Sequence, residues 1–518
     1  MSIFHVLYQS YLRMEEKGLV DNPELDMDGR NIVILPIYHL NKRSNGKNVL
    51  QIVLDYNGKP NRINFIEKDS YTIFPVTEGS LNRTSNVFAH PLCDDMHYLS
   101  KSLNKEKYAD YCKQNEQWLN GVLSELLNCT EQDAEEAENI REFLSQIREL
   151  VLSKDILALA KELIAKQYKI IPQVKKKEKD DNKIVIELKP KTKETSAEIK
   201  TVNLSDNKDK LFITFGKQFA DTQKRDIDIT KSKLLHQAHI RYIHRIQAEQ
   251  VEAFDTCDIS GKRMYCTKLN RGLLPRGKII SISEKKEIFF GRFREGSEVV
   301  RVGADTSEKI LLMLKFFLEH SDNSQWLLDK TTAVFWFSDD ILNKSRFSLY
   351  NPTSETFDPW DNPPEEYETV SIDDPRAREW KKILKGEKPL PKGAEEDFFY
   401  FMTIYKISDG RIAIQSTRTI PITNFLNNLQ HWNRTCYWEI RSYKKQEYEE
   451  KTPLPWDIVN YVYGTEKDDG RVDCLKEELK SSAFKRLLTS IIDGLPLPKD
   501  MGRKIFSNYK NRIGFRKN

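Results

Sequence analysis

The residue types best suited to chemistry in this sequence are the cysteines and histidines between positions 236 and 266. Cys257 and Cys266 bracket the stretch CDISGKRMYC, and the stretch HQAHIRYIH just upstream carries His236, His239 and His244. Thiolates and imidazoles are the ligands of structural zinc, but such sites usually contain close pairs with about two to four residues between partners. The two cysteines are farther apart than that, so a zinc site here would need the histidines as partners.

Two further interpretations of the same stretch need no metal. A cysteine and a histidine can form a catalytic pair, although the sequence offers no third group to orient the base. The interpretation we favour is a turn over Asp258-Ile259-Ser260-Gly261 that closes a hairpin, because Asp and Ser bond to backbone and Gly accepts positive φ. Cys257 is then a small buried apolar residue, and Cys266 lies on the return strand. The histidines share their helix with arginines and then serve packing or phosphate contact.

Familiar catalytic signatures are missing from the sequence. It contains no Walker loop, no G-x-G-x-x-G after a strand, no H-E-x-x-H and no G-x-S-x-G. Asp94-Asp95 is an alternative site for a divalent cation, but it precedes the helical-looking MHYLSKSL and reads as a helix N-cap and first turn. The sequence therefore predicts a binding protein without a cofactor rather than an enzyme.

Two segments carry groups suited to nucleic acid. The first is SLNRTSNVFAH, whose short polar side chains and single arginine suit phosphates and groove edges; its candidates are Arg83, Thr84, Ser85, Asn86 and His90. An ordinary loop rich in Asx and Ser residues is the alternative.

The second segment, which we call the basic run, is KRMYCTKLNRGLLPRGK. Its candidates are Lys262, Arg263, Lys268, Arg271, Arg276 and Lys278. From Asp258 to Arg301 the chain has eleven Lys and Arg against five Asp and Glu, although its formal net charge is only +4. Such uneven charge favours a localised surface for a polyanion, with a solvated face or an acidic protein partner as alternatives.

The hydrophobic patterning predicts an α+β fold: a mixed N-terminal α/β region with hairpins, a helical segment, and central and C-terminal sheet-plus-helix regions. Asn57-Gly58 predicts a hairpin with a type I′ turn, which needs positive φ at both residues, and Asp409-Gly410 predicts a second hairpin. We divide the chain into an N-terminal β-rich region with a loop at 76–95 (1–103), a helical segment (104–172), a strand and helix region with Lys-rich turns (173–256), a central sheet region with the basic run (257–353), an acidic Pro-rich connector (354–397), a hairpin-plus-helix region (398–475), and a C-terminal helix with a basic tail (476–518).

Composition restricts the class of protein. The chain has 518 residues, of which 39% are hydrophobic and 31% charged, and this favours a globular protein of several domains. No stretch approaches ~20 uninterrupted apolar residues, so we expect no transmembrane helix, and the N-terminus lacks the features of a signal peptide. Seven cysteines without paired spacing predict reduced thiols and a cytoplasmic location.

Four stretches, in the same order, give the chain a resemblance to the large subunit of type I-C CRISPR Cascade surveillance complexes. RTSNVFAHPLCDDMHYL is similar to a family segment reading roughly Arg-Thr-Ser-Gly-Ile-Lys-Pro-Asn-Phe-Leu-x-Asp-Asn-x-x-Tyr, and CDISGKRMYCTKLNRGL resembles the family's Cys-x-[Ile/Val]-[Ser/Thr]-Gly-Glu turn with the run after it. KTTAVFWFSDD resembles the family's Asp-x-Thr-Thr-Val-[Val/Phe]-[Phe/Tyr]-Trp-Ala. The stretch from LKGEKPLPKG to NNLQHW is similar to the family's long hairpin and following helix, and FKRLLTSIIDGLPLPKDM is similar to a further family segment.

The resemblance implies a non-enzymatic protein that recognises the protospacer-adjacent motif on duplex DNA, helps to open the strands, stabilises the displaced strand and recruits a helicase-nuclease. Guide pairing would supply most of the sequence specificity. The implied partners are the backbone and repeat-handling subunits of the complex, target double-stranded DNA, the displaced strand, and guide RNA, either indirectly or at its 5′ end. The competing hypotheses are a zinc-stabilised DNA-processing enzyme built on the Cys/His cluster and a basic scaffold protein.

Carried over residue by residue, the motif-reading part of the loop at 76–95 runs from Arg83 to Asp95. The family's Asn falls at His90, and its Gly-Ile-Lys falls at Asn86-Val87-Phe88, so the motif itself differs here. We expect Arg83 to hold phosphate while Asn86 and His90 touch bases, and the basic run to lie against displaced or flanking DNA. Only about twenty residues follow LPLPKD where the family continues into a helical bundle. A separate small subunit supplies that bundle, or the chain is a variant or truncated form.

Overall fold

A computed structural model describes most of the chain. The described residues are 2–22, 34–81, 83, 87–172, 182–188, 198–204, 210–218, 227–267, 270–273, 277–280, 293, 299–327, 330–343, 347–349, 382–383, 396–408, 411–436, 438–441, 448–467, 472–474 and 476–511. Most of the residues predicted as the acidic connector, and most of those in the Lys-rich turns, lie outside these ranges.

Helices and strands alternate in groups along the described residues. The helices are α1 (Ile3–Glu16), α2 (Glu78–Leu81), α3 (Met96–Leu99), α4 (Lys105–Leu127), α5 (Ala134–Ser153), α6 (Ile156–Gln167), α7 (Lys233–Ala248), α8 (Ala304–Glu319), α9 (Ile422–Cys436), α10 (Pro455–Tyr463), α11 (Glu477–Asp493) and α12 (Lys499–Lys510). The strands of the first half are β1 (His39–Arg43), β2 (Val49–Leu54), β3 (Pro60–Phe65), β4 (Tyr71–Pro75), β5 (Asp94–Asp95), β6 (Lys169–Ile171), β7 (Lys183–Leu188), β8 (Glu198–Asn203), β9 (Phe212–Lys217) and β10 (Ile227–Asp228). The strands of the second half are β11 (Phe254–Thr256), β12 (Arg263–Tyr265), β13 (Ser324–Trp326), β14 (Thr331–Phe337), β15 (Phe398–Ser408), β16 (Arg411–Pro421), β17 (Trp438–Arg441), β18 (Tyr448–Lys451), β19 (Thr465–Glu466) and β20 (Val472–Asp473).

The N-terminal sheet has the order β10-β9-β2-β3, with β5 pairing to β9. Its two central strands, β2 and β9, are parallel although they are far apart in sequence, and both are buried along their whole length. Parallel strands need covering on both faces, and the apolar sides of α4, α5, α6 and α7 share one hydrophobic cluster with this sheet. The short strand β5 thereby places Asp94 inside the core.

The predicted hairpin at Asn57-Gly58 joins β2 and β3 and is confirmed, but the predicted turn type is wrong. Only Gly58 has positive φ, at +76°. The carboxylate of Asp55 accepts hydrogen bonds from the backbone N–H groups of Asn57 (2.9 Å) and Lys59 (2.8 Å). Because Asp55 closes the turn with its side chain, Asn57 does not need the left-handed conformation of a type I′ turn.

The C-terminal sheet has the order β13-β14-β15-β16, all antiparallel. β14 is the strand TTAVFWF, and β15 and β16 form the hairpin predicted at Asp409-Gly410, whose two turn residues lie outside the described ranges. One face of the sheet packs against α9, α10 and α11, and the other against α1 and α8. Trp336 links sheet and helix layer by donating its Nε1–H to Ser10 Oγ at 3.0 Å.

These sheets and their covering helices make the fold α+β, as predicted. Small two- and three-stranded sheets add to the two larger ones. Among the described residues, none of the helices has the length and apolar character to cross a membrane.

Candidate nucleic-acid interface

The stretch from Cys257 to Cys266 is a hairpin turn, as predicted. β11 pairs antiparallel with β12 around it, and Gly261 has a φ of +68°. The carboxylate of Asp258 accepts a hydrogen bond from the backbone N–H of Arg301 at 2.7 Å, so the turn is also tied to the chain that enters α8. Cys257 is fully buried, and all seven cysteine thiols of the protein are free.

Two of the three upstream histidines, His236 and His239, belong to the core, whereas the His244 side chain is 48% exposed and its Nε2 lies 3.5 Å from Asp305 Oδ1. The imidazole nitrogens of His236 lie 2.7 Å from Asp21 Oδ1 and 3.0 Å from the Thr230 carbonyl oxygen. His239 Nδ1 accepts a hydrogen bond from the indole N–H of Trp118 at 3.0 Å. Both rings pack against a third buried histidine, His39, at centroid distances of 4.9 and 4.8 Å. No three His, Cys, Asp or Glu side chains of the described residues are arranged to hold a metal ion.

Two of these buried histidines, His39 and His239, have lowered pKa values. Complete burial lowers the pKa of His239 to about 4 and holds the pKa of His39 well below its ordinary value. His39 lies some 200 positions before His239 in sequence, so the local pattern gave no sign that it joins the group.

Arg83 lies at the start of the predicted motif-reading residues, and its guanidinium is used inside the protein. Its two terminal nitrogens each lie 2.7 Å from an oxygen of Asp94, a bidentate pair. The same guanidinium donates to the Phe88 carbonyl oxygen at 2.9 Å and lies 4.6 Å from the ring centroid of Tyr98. The side chain of Arg83 is 19% exposed and that of Asp94 is fully buried. This geometry does not fit the predicted phosphate contact, because the charge is already neutralised; instead the guanidinium joins Arg83 to Phe88 and Asp94.

The neighbouring predicted residues divide into two groups. His90 is buried, its backbone N–H donates to Asp94 at 2.8 Å, and burial holds the pKa of its ring well below the ordinary value. A base contact by the His90 side chain therefore does not fit this arrangement. Thr84, Ser85 and Asn86 lie outside the described residues, so their predicted contacts stay predictions. Asp94-Asp95 has structural contacts, as expected, but not as an N-cap and first turn. Both residues form β5; Asp94 holds Arg83, and Asp95 takes the N-cap position of α3 without a side-chain hydrogen bond to the helix.

The basic run likewise does not behave as one surface. Lys262 and Arg263 are exposed at the end of the hairpin turn and the start of β12, and Lys278 is half-buried. Arg271 is only 2% exposed and forms a buried ion pair with Glu308 of α8. Its burial contradicts the predicted DNA contact, because a fully packed guanidinium cannot reach a phosphate. Two further members, Lys268 and Arg276, lie outside the described residues.

The two predicted segments nevertheless meet at one place. Glu78 of α2, five residues before Arg83, accepts hydrogen bonds from Tyr265 Oη at 3.3 Å and Thr267 Oγ1 at 2.7 Å. Tyr265 ends β12, and Thr267 directly precedes the central part of the basic run. Burial and the Glu78 carboxylate raise the pKa of Tyr265 to about 12, so its phenol remains a donor at neutral pH. Glu78 thus brings the beginnings of both segments together.

A cavity of about 250 Å³ lies at this junction. Both segments contribute to it, since Phe88 belongs to the first segment and Tyr265 and Thr267 belong to the basic run. Its aromatic lining consists of Tyr38, Phe88, Trp118, Tyr242 and Tyr265. Sequence reasoning missed this cavity, because its walls come from six separate parts of the chain.

Comparison with known proteins gives one match. The family described as CRISPR-associated protein (Cas_Csd1) matches residues 7–517 of the chain. No curated protein is similar enough in sequence to count as a relative. Since the family match covers nearly the whole chain, the protein belongs to the CRISPR-associated Cas_Csd1 family.

Proposed function

We propose that this protein is the large subunit of a CRISPR RNA-guided Cascade complex of type I-C, and that it recognises the protospacer-adjacent motif on duplex DNA without being an enzyme. Family membership supports a role beside other subunits of a CRISPR effector complex. In this role the protein helps strand opening, stabilises the displaced strand and recruits a helicase-nuclease. Its partners are the backbone and repeat-handling subunits, guide RNA and a small subunit.

The observation that carries the DNA-reading part is the junction at Glu78. One glutamate bonds to the residues that begin the basic run, while its own helix α2 leads directly into the Arg83–Asp94 pair. Because this pair is buried and bidentate, Arg83 is held rigidly at the start of the proposed motif-reading residues. The cations Lys262 and Arg263 lie exposed on the adjoining hairpin, where they can contact backbone phosphates.

The first test is composition of the purified protein complex. Expression with a guide array should yield a complex that contains guide RNA and repeat-handling subunits. Elemental analysis for zinc separates this function from the zinc-dependent enzyme, because one equivalent of bound zinc would favour the latter.

The second test measures motif reading directly. Asn86→Ala should weaken binding of the guide-loaded complex to duplex carrying the cognate motif by roughly 1–3 kcal/mol, the usual cost of a lost base contact. Asn61→Ala, on β3, is the matched control and should leave binding unchanged. Equal losses on duplexes with and without the motif would refute base reading by Asn86, and motif-independent binding by the wild-type complex would refute the proposed function.

A further inference from the structure

The cavity beside Glu78 is large enough for a small planar ring system. Its volume of about 250 Å³ is smaller than the roughly 300–1,000 Å³ of pockets that take drug-sized ligands. Two of its walls are aromatic rings packed tightly on glycines. A Cβ added at Gly79 would come within 2.4 Å of the Phe88 ring, and one added at Gly121 would come within 2.0 Å of the Tyr242 ring. Both rings are therefore set back against backbone, which leaves the space between them open.

The floor of the cavity is rigid. Trp118 is 1% exposed, and its indole N–H is held by His239, so the ring cannot turn to fill the space. Above this floor, the half-buried rings of Phe88, Tyr242 and Tyr265 offer flat apolar faces to anything that enters. Aromatic faces of this kind stack with nucleobases, at roughly 1–3 kcal/mol per base.

The polar lining suits a neutral base better than a phosphate. Among the described residues, the lining includes neither Lys nor Arg, and four amide side chains contribute instead: Gln114, Gln117, Gln247 and Gln250. Amides supply donors and acceptors together, which is what the edge of a base requires. The Glu78 carboxylate adds acceptor oxygens and favours bases that carry an amino group: adenine, cytosine or guanine.

We propose that this cavity binds a single nucleobase taken out of the stack when the duplex is opened next to the two DNA-contacting segments. Removing a base from the stack costs free energy, which stacking and hydrogen bonds in a pocket can offset. A pocket with aromatic walls and amide side chains provides both kinds of interaction. The inference rests on the proposed function, since the base comes from the opened strand. Free nucleosides share the same chemistry, so the test contains an arm for each source.

The test variant is Gln117→Trp. Gln117 is an exposed residue on α4 at the edge of the cavity, so an indole there fills the space without changing the core. Asn120→Trp places the same side chain one turn further along α4, at an exposed position outside the lining, and is the matched control. Gln117→Leu, which removes the amide but not the space, is a milder second variant.

The readout is the affinity of the guide-loaded complex for DNA with a pre-opened, mismatched segment. Gln117→Trp should weaken this binding by roughly 5- to 150-fold, which corresponds to the loss of one stacked base, and Gln117→Leu by a smaller factor in the same direction. Asn120→Trp should bind as the wild type does. Equal affinities of Gln117→Trp and Asn120→Trp for opened DNA would overturn the proposal, even if cytidine or adenosine bound to the cavity as free nucleosides.

Failure of the cavity and failure of the proposed function give different results. Motif discrimination on fully paired duplex, measured in the same complexes, depends on the motif-reading segment and not on the cavity. If the wild-type complex fails to discriminate motifs, the proposed function is wrong. If it discriminates and Gln117→Trp still binds opened DNA normally, only the inference about the cavity is wrong.

Discussion

Replacing Arg83 by Ala tests whether this arginine stabilises the fold through its ion pair with Asp94 or contacts a phosphate, as the sequence predicted. The substitution leaves the Asp94 carboxylate fully buried with the backbone N–H groups of His90 (2.8 Å) and Asp95 (2.7 Å) as remaining donors. Removing one partner of a buried ion pair costs about 3–5 kcal/mol, since the other charge stays in the core. Those donors and the 19% exposure of Arg83 place the expected loss near the lower end, about 3 kcal/mol.

The assay is the shift of the chemical unfolding midpoint, measured together with the salt dependence of DNA binding. Arg83→Ala should lower the midpoint and leave the slope of binding against salt concentration unchanged. Arg148→Ala is the control, because Arg148 pairs with Glu116 at 2.6 Å while both side chains are 40% exposed or more, and such exposed pairs contribute about 0–1 kcal/mol.

The opposite result would refute this reasoning. If Arg83 holds a phosphate, Arg83→Ala leaves the unfolding midpoint where it was and reduces the salt slope by about 0.9. A double-mutant cycle with Asp94→Asn provides the second check. The two substitutions should be strongly non-additive if the side chains stabilise the protein as a pair.

Three further predictions follow from buried contacts. Arg271→Ala should destabilise the protein by about 3–5 kcal/mol, seen in the unfolding midpoint, because it leaves Glu308 unpaired in the core; a normal midpoint with a reduced salt slope would contradict this. Acidification should destabilise the protein through His239, whose pKa is about 4 in the folded state and about 6.5 in the unfolded state. The unfolded state therefore binds a proton at a higher pH than the folded state does. Up to about 3 kcal/mol of the free energy of unfolding is lost as the pH falls from 6.5 to 4. Comparing unfolding of wild type and His239→Gln at pH 7.5 and 4.5 isolates this effect, and an equal acid-induced loss in both proteins would exclude it. Gly121→Ala should destabilise the protein, although Gly-to-Ala in an exposed helix usually stabilises by about 1 kcal/mol, because the new Cβ meets the Tyr242 ring; a raised unfolding midpoint would show that this ring gives way easily.

Local patterns predicted the elements well, and the reason is visible in particular residues. Gly261 has a φ of +68° in the turn that it was expected to close. The Asn57-Gly58 pair located the hairpin between β2 and β3. In each case the determining interactions lie within a few residues of one another, so the sequence window contains them.

The interface could not be predicted in the same way, because its determining contacts join distant residues. In the sequence, Arg271 is one member of a basic run. In the structure it pairs with Glu308, which is 37 positions later in the chain. In the sequence, Arg83 resembles a phosphate ligand. In the structure, β5 pairs with β9 and thereby places Asp94 in the core, where it binds the Arg83 guanidinium. A charge pattern reports how many cations a segment has; only the fold reports which of them are already paired.

The division of those cations bears on how the protein would bind DNA. Of the basic residues singled out in the sequence and described in the structure, Arg83 and Arg271 neutralise internal carboxylates, and Lys262 and Arg263 are exposed. Each phosphate contact contributes about 0.9 to the slope of the logarithm of the binding constant against the logarithm of the salt concentration. Because Arg83 and Arg271 are paired internally, the slope should lack the contributions of these two expected contacts. Binding that depends less on salt must depend more on neutral contacts, such as amides at base edges and aromatic faces. The cavity beside Glu78 offers both kinds of contact, because its lining contains amide side chains and aromatic rings. It lies where the two segments meet, so a base bound there would contact both.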